Sequence, residues 1–345
     1  MTTPPWQEPV RGGYPDLRVF GLPAIEQARL FLQHGGPKPP LSHLTGLSFV
    51  EADEGHAAFE LPASDWFLSS QEHISAGAIT MLADAAVASA IFHSLPAATP
   101  MSTWELTMTF LRACPAGGTL RGVGRLLRLD RPLSLAEVWI EDGRGERVAH
   151  GTSSCFIQPP IEGVPVPDDP SIFEYVAPSY DSPDPWMRPA PGEAIPWEQW
   201  RTMSGLDILR GQIAGAIPAP PIHYLTGMTL TDVDDGRATF SMPRSEWFAS
   251  PARTVQGGLI AMLGHAALAT AVTSTLQVGS AYRPVDLKMH FLRPVMPGEG
   301  DLVANASVTH RGRTLAVANA DVFAPDGKKV ATATGSTMIT GERPV

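Results

Sequence analysis

One long-range repeat constrains this chain more than any other feature. Pro39-Pro40-Leu41-Ser42-His43-Leu44-Thr45-Gly46 returns as Pro220-Pro221-Ile222-His223-Tyr224-Leu225-Thr226-Gly227. Asp65-Trp66-Phe67 returns as Glu246-Trp247-Phe248, and Phe110-Leu111-Arg112 as Phe291-Leu292-Arg293. A period of this size is too long for a solenoid unit, so it predicts a duplicated domain. Within such a chain each copy is a control for the other. Positions that agree are explained by folding, and polar positions that differ inside an apolar element are candidates for divided function.

The 345 residues suffice for two domains, each with its own core. A formal net charge of -10 and the lack of a basic stripe argue against nucleic acid as the partner. Cys114 and Cys155 fall in different elements and give no disulfide framework, so a reducing, cytoplasmic setting is expected. The first residues lack the charged-then-apolar order of a signal peptide. Two Ala-rich stretches, Ile74 to Leu95 and Val255 to Leu276, are long enough to resemble membrane spans. They carry Asp84, His93 and His265, and charge at mid-span is costly, so buried helices are the expectation and no membrane partner is implied.

The two copies share one order of elements. An amphipathic helix (near Ala24 to Gln33, and Leu206 to Ile213) precedes two strands joined at Asp53-Glu54-Gly55 and Asp234-Asp235-Gly236. The apolar helix comes next, then three or four strands with turns at Asp142-Gly143-Arg144-Gly145 and Pro325-Asp326-Gly327-Lys328. From Thr103 to Leu111, Trp104, Leu106, Met108 and Phe110 alternate with polar residues, which predicts a strand burying those four. A helix apolar on nearly every side needs cover all round, and a sheet curled about it provides that. The fold class is therefore α+β: two tandem units, residues 20–158 and 197–341, paired as an intrachain pseudo-dimer. A Pro-rich linker, residues 159–196, joins them, with Phe173, Tyr175, Tyr180 and Trp186 as candidate anchors.

Candidate chemistry lies at the apolar helices. The second begins Gln256-Gly257-Gly258, where small residues expose backbone N–H groups and the positive end of the helix dipole. Close helix packing would also ask for glycine there. Two turns on, the copies diverge: Asp84 in one, His265 in the other. A carboxylate among Ala, Leu and Met pays for its desolvation unless it is paired or working. Thr103 heads the following strand with a hydroxyl where the second copy has Pro284. There is no Gly-x-Ser-x-Gly elbow, dinucleotide fingerprint or zinc-ligand spacing, and no metal or cofactor is called for.

Taken in order, these motifs resemble the hotdog-fold acyl-CoA thioesterases of the phenylacetic-acid-degradation (PaaI-like) type. The matching residues are Gln256-Gly257-Gly258, Leu263-Gly264-His265-Ala266-Ala267, Phe291-Leu292-Arg293-Pro294 and Arg311-Gly312-Arg313 in one copy. In the other they are Ser75-Ala76-Gly77, Leu82-Ala83-Asp84-Ala85-Ala86 and Phe110-Leu111-Arg112. The resemblance covers both copies, outside the N-terminus and linker. It implies thioester hydrolysis at a seam between units, with Asp84 as the acidic residue, Thr103 as its hydroxyl partner and the Gly257 amide on the thioester oxygen. Gly258 and Gln256 complete that seam, with Gln256 where the family has histidine. Ser250 stands where the family often has an Asn or Gln that touches the thioester. The reciprocal seam, His265 with Ala76 and Gly77, reads as degenerate.

Arg311 and Arg313 are candidates for the coenzyme A phosphates, and Trp66-Phe67 and Trp247-Phe248 for an acyl pocket, although aromatics in such places more often simply pack. A homodimer of the tandem chain is an expectation of the same kind. Two rivals to the acyl-CoA thioesterase are a hotdog hydratase or dehydratase, whose Asp-x-x-x-x-His pair is missing from the expected place, and a non-catalytic acyl-thioester binding protein.

Overall fold

In the computed structural model, which describes residues 3–165 and 175–341, a single antiparallel sheet of twelve strands carries the whole molecule. The first copy supplies β1 (Ser48–Asp53), β2 (His56–Pro62), β3 (Met101–Phe110), β4 (Thr119–Arg128), β5 (Leu133–Glu141) and β6 (Arg147–Ile157). The second supplies β7 (Thr229–Asp234), β8 (Arg237–Arg244), β9 (Ala281–Phe291), β10 (Gly298–Arg311), β11 (Leu315–Phe323) and β12 (Lys329–Thr340). The strand order, β1-β2-β4-β5-β6-β3-β9-β12-β11-β10-β8-β7, is the same sequence of connections read inward from each end. The copies join at β3 and β9, with Leu106 opposite Met289 and Met108 opposite Leu287. That pairing removes two sheet edges and leaves only β1 and β7 at the rims.

The helices are α1 (Ala24–His34), α2 (Pro40–Thr45), α3 (Ala76–Phe92), α4 (Trp197–Trp200), α5 (Gly205–Ile213), α6 (Pro221–Thr226) and α7 (Gly257–Thr273). Helices α3 and α7 are the central pair, each wrapped by the strands of its own copy. Alanine dominates α3 because the curled sheet approaches it closely, while Ile79, Met81, Leu82, Val87 and Ile91 fill the gaps and are fully or nearly buried. Each such side chain contributes roughly 1.5–3 kcal/mol when buried. The helices meet head to head. A Cβ on Gly77 would fall 2.5 Å from Met262 Cγ, and one on Gly258 2.5 Å from Met81 Cα, so these two glycines are demanded by packing.

Two sequence expectations change. Trp104 was placed on the buried face of β3, yet it is 44% exposed. Its pairing with β6 carries a bulge between Thr103 and Glu105, which takes Trp104 out of step. The bulge moves Thr103 onto the side that faces α3, in phase with the buried Leu106 and Met108. The pairing of β9 with β12 breaks at the equivalent place, next to Pro284.

The N-terminal segment and the linker also prove to belong to the repeat. Pro5-Trp6-Gln7-Glu8-Pro9 and Pro185-Trp186-Met187-Arg188-Pro189 each form a 3₁₀ turn. Each arm lies on the other copy: Trp247 Nε1 donates to Glu8 O at 2.9 Å, and Trp66 Nε1 donates to Arg188 O at 2.8 Å. Trp6 packs on Gly227 and Trp186 on Gly46. The arms clasp each other through Arg188–Glu8 (2.5 Å) and Arg11–Asp184 (3.0 Å), and the Gly12 N–H donates to the Tyr180 hydroxyl. Tyr180 and Trp186 thus anchor the linker, while Phe173 lies outside the described residues. Trp66, Phe67, Trp247 and Phe248 are buried.

Candidate active site at the seam between the repeats

Head-to-head packing of α3 and α7 carries Asp84, two turns into α3, to the first turn of α7. Asp84 Oδ2 accepts a 2.8 Å hydrogen bond from the Gly258 N–H, and Oδ1 accepts a longer one, 3.4 Å, from Thr103 Oγ1. Only 4% of Asp84 is exposed. Burial pushes its carboxyl up to about 6, and the two hydrogen bonds, which favour the charged form, only partly offset this. A carboxylate poised near neutrality in a dry seam has the proton affinity of a general base.

The neighbouring amides divide the work. The Gly258 N–H holds the carboxylate, whereas the Gly257 N–H, at the first position of α7, has no acceptor among the described residues. A Cβ on Gly257 would sit 3.2 Å from Asp84 Oδ2 and 3.4 Å from Phe291, so here glycine leaves room beside the carboxylate. Gln256 Nε2 donates to Met81 O at 3.2 Å, and Gln256 Oε1 is buried with no donor. Such an orphaned acceptor beside a desolvated carboxylate is the usual mark of a functional site.

Asp84, Thr103, Gln256, Gly257 and Gly258 therefore converge. The structure adds Cys155, paired with Thr103 across β3 and β6, whose Sγ lies 4.0 Å from Thr103 Oγ1. Burial, and secondarily the charge of Asp84, push its thiol up to about 12, so it stays neutral. Nothing in the local pattern points to it, because the register that places it depends on the bulge.

Ser250 does not reach into the seam: its hydroxyl lies 3.3 Å from Thr254 Oγ1 and accepts from the Ala252 N–H, tying its own loop. Arg313 is exposed in the turn after β10, and Arg311 lies far from the seam. Arg311 Nε donates to Thr275 Oγ1 just beyond the C-terminal end of α7. At about 1.5 Å per residue that is roughly 25 Å along the helix from Gly257. Among the described residues no cluster of three or more metal-ligating side chains occurs, and no helix is long and apolar enough to cross a membrane.

The reciprocal seam is arranged differently. The Gly77 N–H finds its acceptor locally, in Ser75 Oγ at 3.2 Å. His265 replaces the carboxylate, edge-on to Phe110, and burial lowers its imidazole to about 4.

Residues 253–331 match the family model described as "Thioesterase superfamily", a span that includes Gly257 and His265. A Halobacterium salinarum protein named "Putative esterase" is 35% identical over 104 residues, covering 29% of this chain and 67% of that protein. The chain belongs to the thioesterase superfamily. It is by family a thioester hydrolase, with the hotdog fold built twice. Two solved structures resemble it along nearly their whole length. The tesB protein of Mycobacterium avium subs paratuberculosis has a TM-score of 0.55 at 15% identity, covering 87% of this chain and 98% of that one. Acyl-CoA thioesterase II TesB2 of Mycobacterium marinum has 0.52 at 14%, covering 87% and 98%. At these identities the likeness speaks for the double-hotdog architecture alone.

Proposed function

We propose that this thioesterase hydrolyses an acyl-CoA thioester to the free acid and coenzyme A, at one composite site per chain. The observation that carries this reading is the 2.8 Å contact of Asp84 from one copy with the Gly258 amide of the other, beside the unused Gly257 amide. The thioester oxygen takes the Gly257 N–H, which sits at the positive end of α7 and stabilises the oxyanion as it forms. Asp84 removes a proton from a water that attacks the carbonyl carbon. The tetrahedral intermediate then expels the coenzyme A thiolate, and the proton returns from Asp84 to its sulfur. Thr103 and the Gly258 amide fix the carboxylate, and Gln256 Oε1 supplies a second acceptor for the attacking water. That second acceptor favours the general-base route over direct attack by Asp84 through an anhydride. The acyl-CoA class also agrees with the printed name of the Mycobacterium marinum structure, and the PaaI-like subtype rests on the motif order.

Thiol release from a panel of acyl-CoAs, wild type against Asp84→Asn, tests the proposal. Loss of release with retained ligand binding supports it, and undiminished release in the variant rejects it. A single turnover in ¹⁸O water separates the two routes: label found in Asp84 would establish the anhydride.

A further inference from the structure

A cavity of about 110 Å³ lies at the reciprocal seam, where the catalytic carboxylate has been lost. Its walls include Ala76, Ile79, Phe110, Met228 and His265. Neither imidazole nitrogen of His265 has a hydrogen-bond partner among the described residues, and the same is true of His223. The Ala76 N–H, counterpart of the Gly257 amide, is likewise without an acceptor. His265 and His223 keep part of their surface exposed, so the cavity leaves these unpaired groups open to a ligand that can hydrogen-bond to them.

The charges around the cavity have one sign. No Asp or Glu lines it, whereas Arg112 and Arg283 do. Arg112 is paired through Nη2 with Asp142 but leaves its buried Nε–H without an acceptor. Arg283 donates to Leu111 O and has no carboxylate partner among the described residues. The remaining titratable groups facing the space are His73, Cys114 and Tyr282. An engineered cavity of roughly 150 Å³ holds benzene, so this smaller one, open at one side, suits a short chain or a single ring.

We propose that the reciprocal seam binds a compact monocarboxylic acid, with its carboxylate on the Ala76 N–H and the His265 imidazole and its apolar part against Ile79, Phe110 and Met228. Acids of this class are what thioester hydrolysis releases. The two seams are then complementary in charge: Asp84 repels a carboxylate from the first, and its replacement by histidine admits one to the second. Binding at this seam does not depend on Asp84 acting as the base.

The test is calorimetric titration of the full chain with butyrate and benzoate, using butyramide as the uncharged control. One site per chain is expected, with butyramide much weaker. Asp84→Asn should keep the His265-dependent butyrate site of the wild type, and any butyrate newly admitted to the first seam should be untouched by His265→Leu, which keeps this result separate from any failure of the proposed hydrolysis. His265→Leu should weaken butyrate about tenfold or more, the effect of losing a hydrogen bond to a charged group. Arg283→Gln, the milder change, should weaken it about three- to fivefold, as for one solvent-screened charge. Equal binding of butyrate and butyramide, unchanged affinity in both variants, or no heat up to millimolar acid would each overturn the proposal. So would loss of thioester turnover in a folded His265→Leu, since that would make the cavity a second active site.

Discussion

Asp84 of the first repeat is bonded to the Gly258 amide of the second at 2.8 Å, so the proposed base and its support come from opposite halves of one chain. Duplication supplied two copies of each part. One seam carries a carboxylate and the other His265, where the Gly77 amide is held instead by Ser75 Oγ at 3.2 Å.

The first prediction concerns turnover. Asp84→Asn keeps an acceptor for the Gly258 N–H but cannot take a proton, so acyl-CoA hydrolysis should fall by about two to four orders of magnitude, the range for losing a general base. Ligand affinity should change little. Initial rates and equilibrium binding on the same preparation check both halves.

The same substitution has an opposite effect on stability. The folded protein holds the Asp84 carboxyl near 6, above its ordinary value of 3.8, because burial disfavours the charge. Its contribution is fully present below the unfolded pKa and is lost as pH rises through 6. The resulting cost is about 2–3 kcal/mol at neutral pH. Asp84→Asn should therefore melt higher than wild type at pH 7 to 8, with the gap closing towards pH 4. Thermal melts across that range measure it, and a gap that widens on acidification would contradict the sign.

The pH–rate profile follows from the same group. With Asp84 active only when ionised, kcat/KM should rise along a limb centred near 6. Thr103→Val removes a hydrogen bond that favours the charged form, so the limb should move to higher pH. A merely structural role for Thr103 would lower the rate without moving the limb.

Much of this site was legible in the sequence because the repeat is its own comparison. Asp84 stands out against His265, and Gly257 against Ala76, in the sequence alone. The exchange of arms was not legible, since the two share little beyond Pro-Trp and a closing Pro inside irregular segments. Nor was the bulge at Trp104. A bulge is set by the partner strand β6, nearly fifty residues away, and local alternation cannot report it. The reciprocal cavity was hidden for a similar reason, because His73, His223 and Arg283 reach it from three separate segments.

The clasp of the arms yields a further expectation. Trp186 packs on Gly46, and its arm accepts from Trp66 Nε1, so Trp186→Ala should destabilise the fold by about 2–4 kcal/mol, somewhat below a fully buried aromatic deletion. Either half expressed alone should be inactive and lack its arm's docking surface. Mixing the halves should restore activity in proportion to their association, measured by thiol release against concentration.

The two glycines of α7 offer the sharpest separation of packing from chemistry. A Cβ at position 258 meets Met81 backbone at 2.5 Å, which cannot yield cheaply, so Gly258→Ala should destabilise the chain by about 1–3 kcal/mol, as overpacking does. The nearest neighbours of a Cβ at position 257 are Asp84 Oδ2 at 3.2 Å and Phe291 at 3.4 Å, contacts that small shifts relieve. Gly257→Ala should therefore fold nearly as well as wild type yet lose hydrolysis by about tenfold or more, because the methyl group crowds the carboxylate and the approach to the free amide. Melting temperature should fall further in Gly258→Ala, whose added Cβ also comes within 3.2 Å of Asp84 Cβ, while kcat should fall in both variants. A Gly257→Ala enzyme as active as wild type would remove the Gly257 amide from the reaction, whatever Asp84 does.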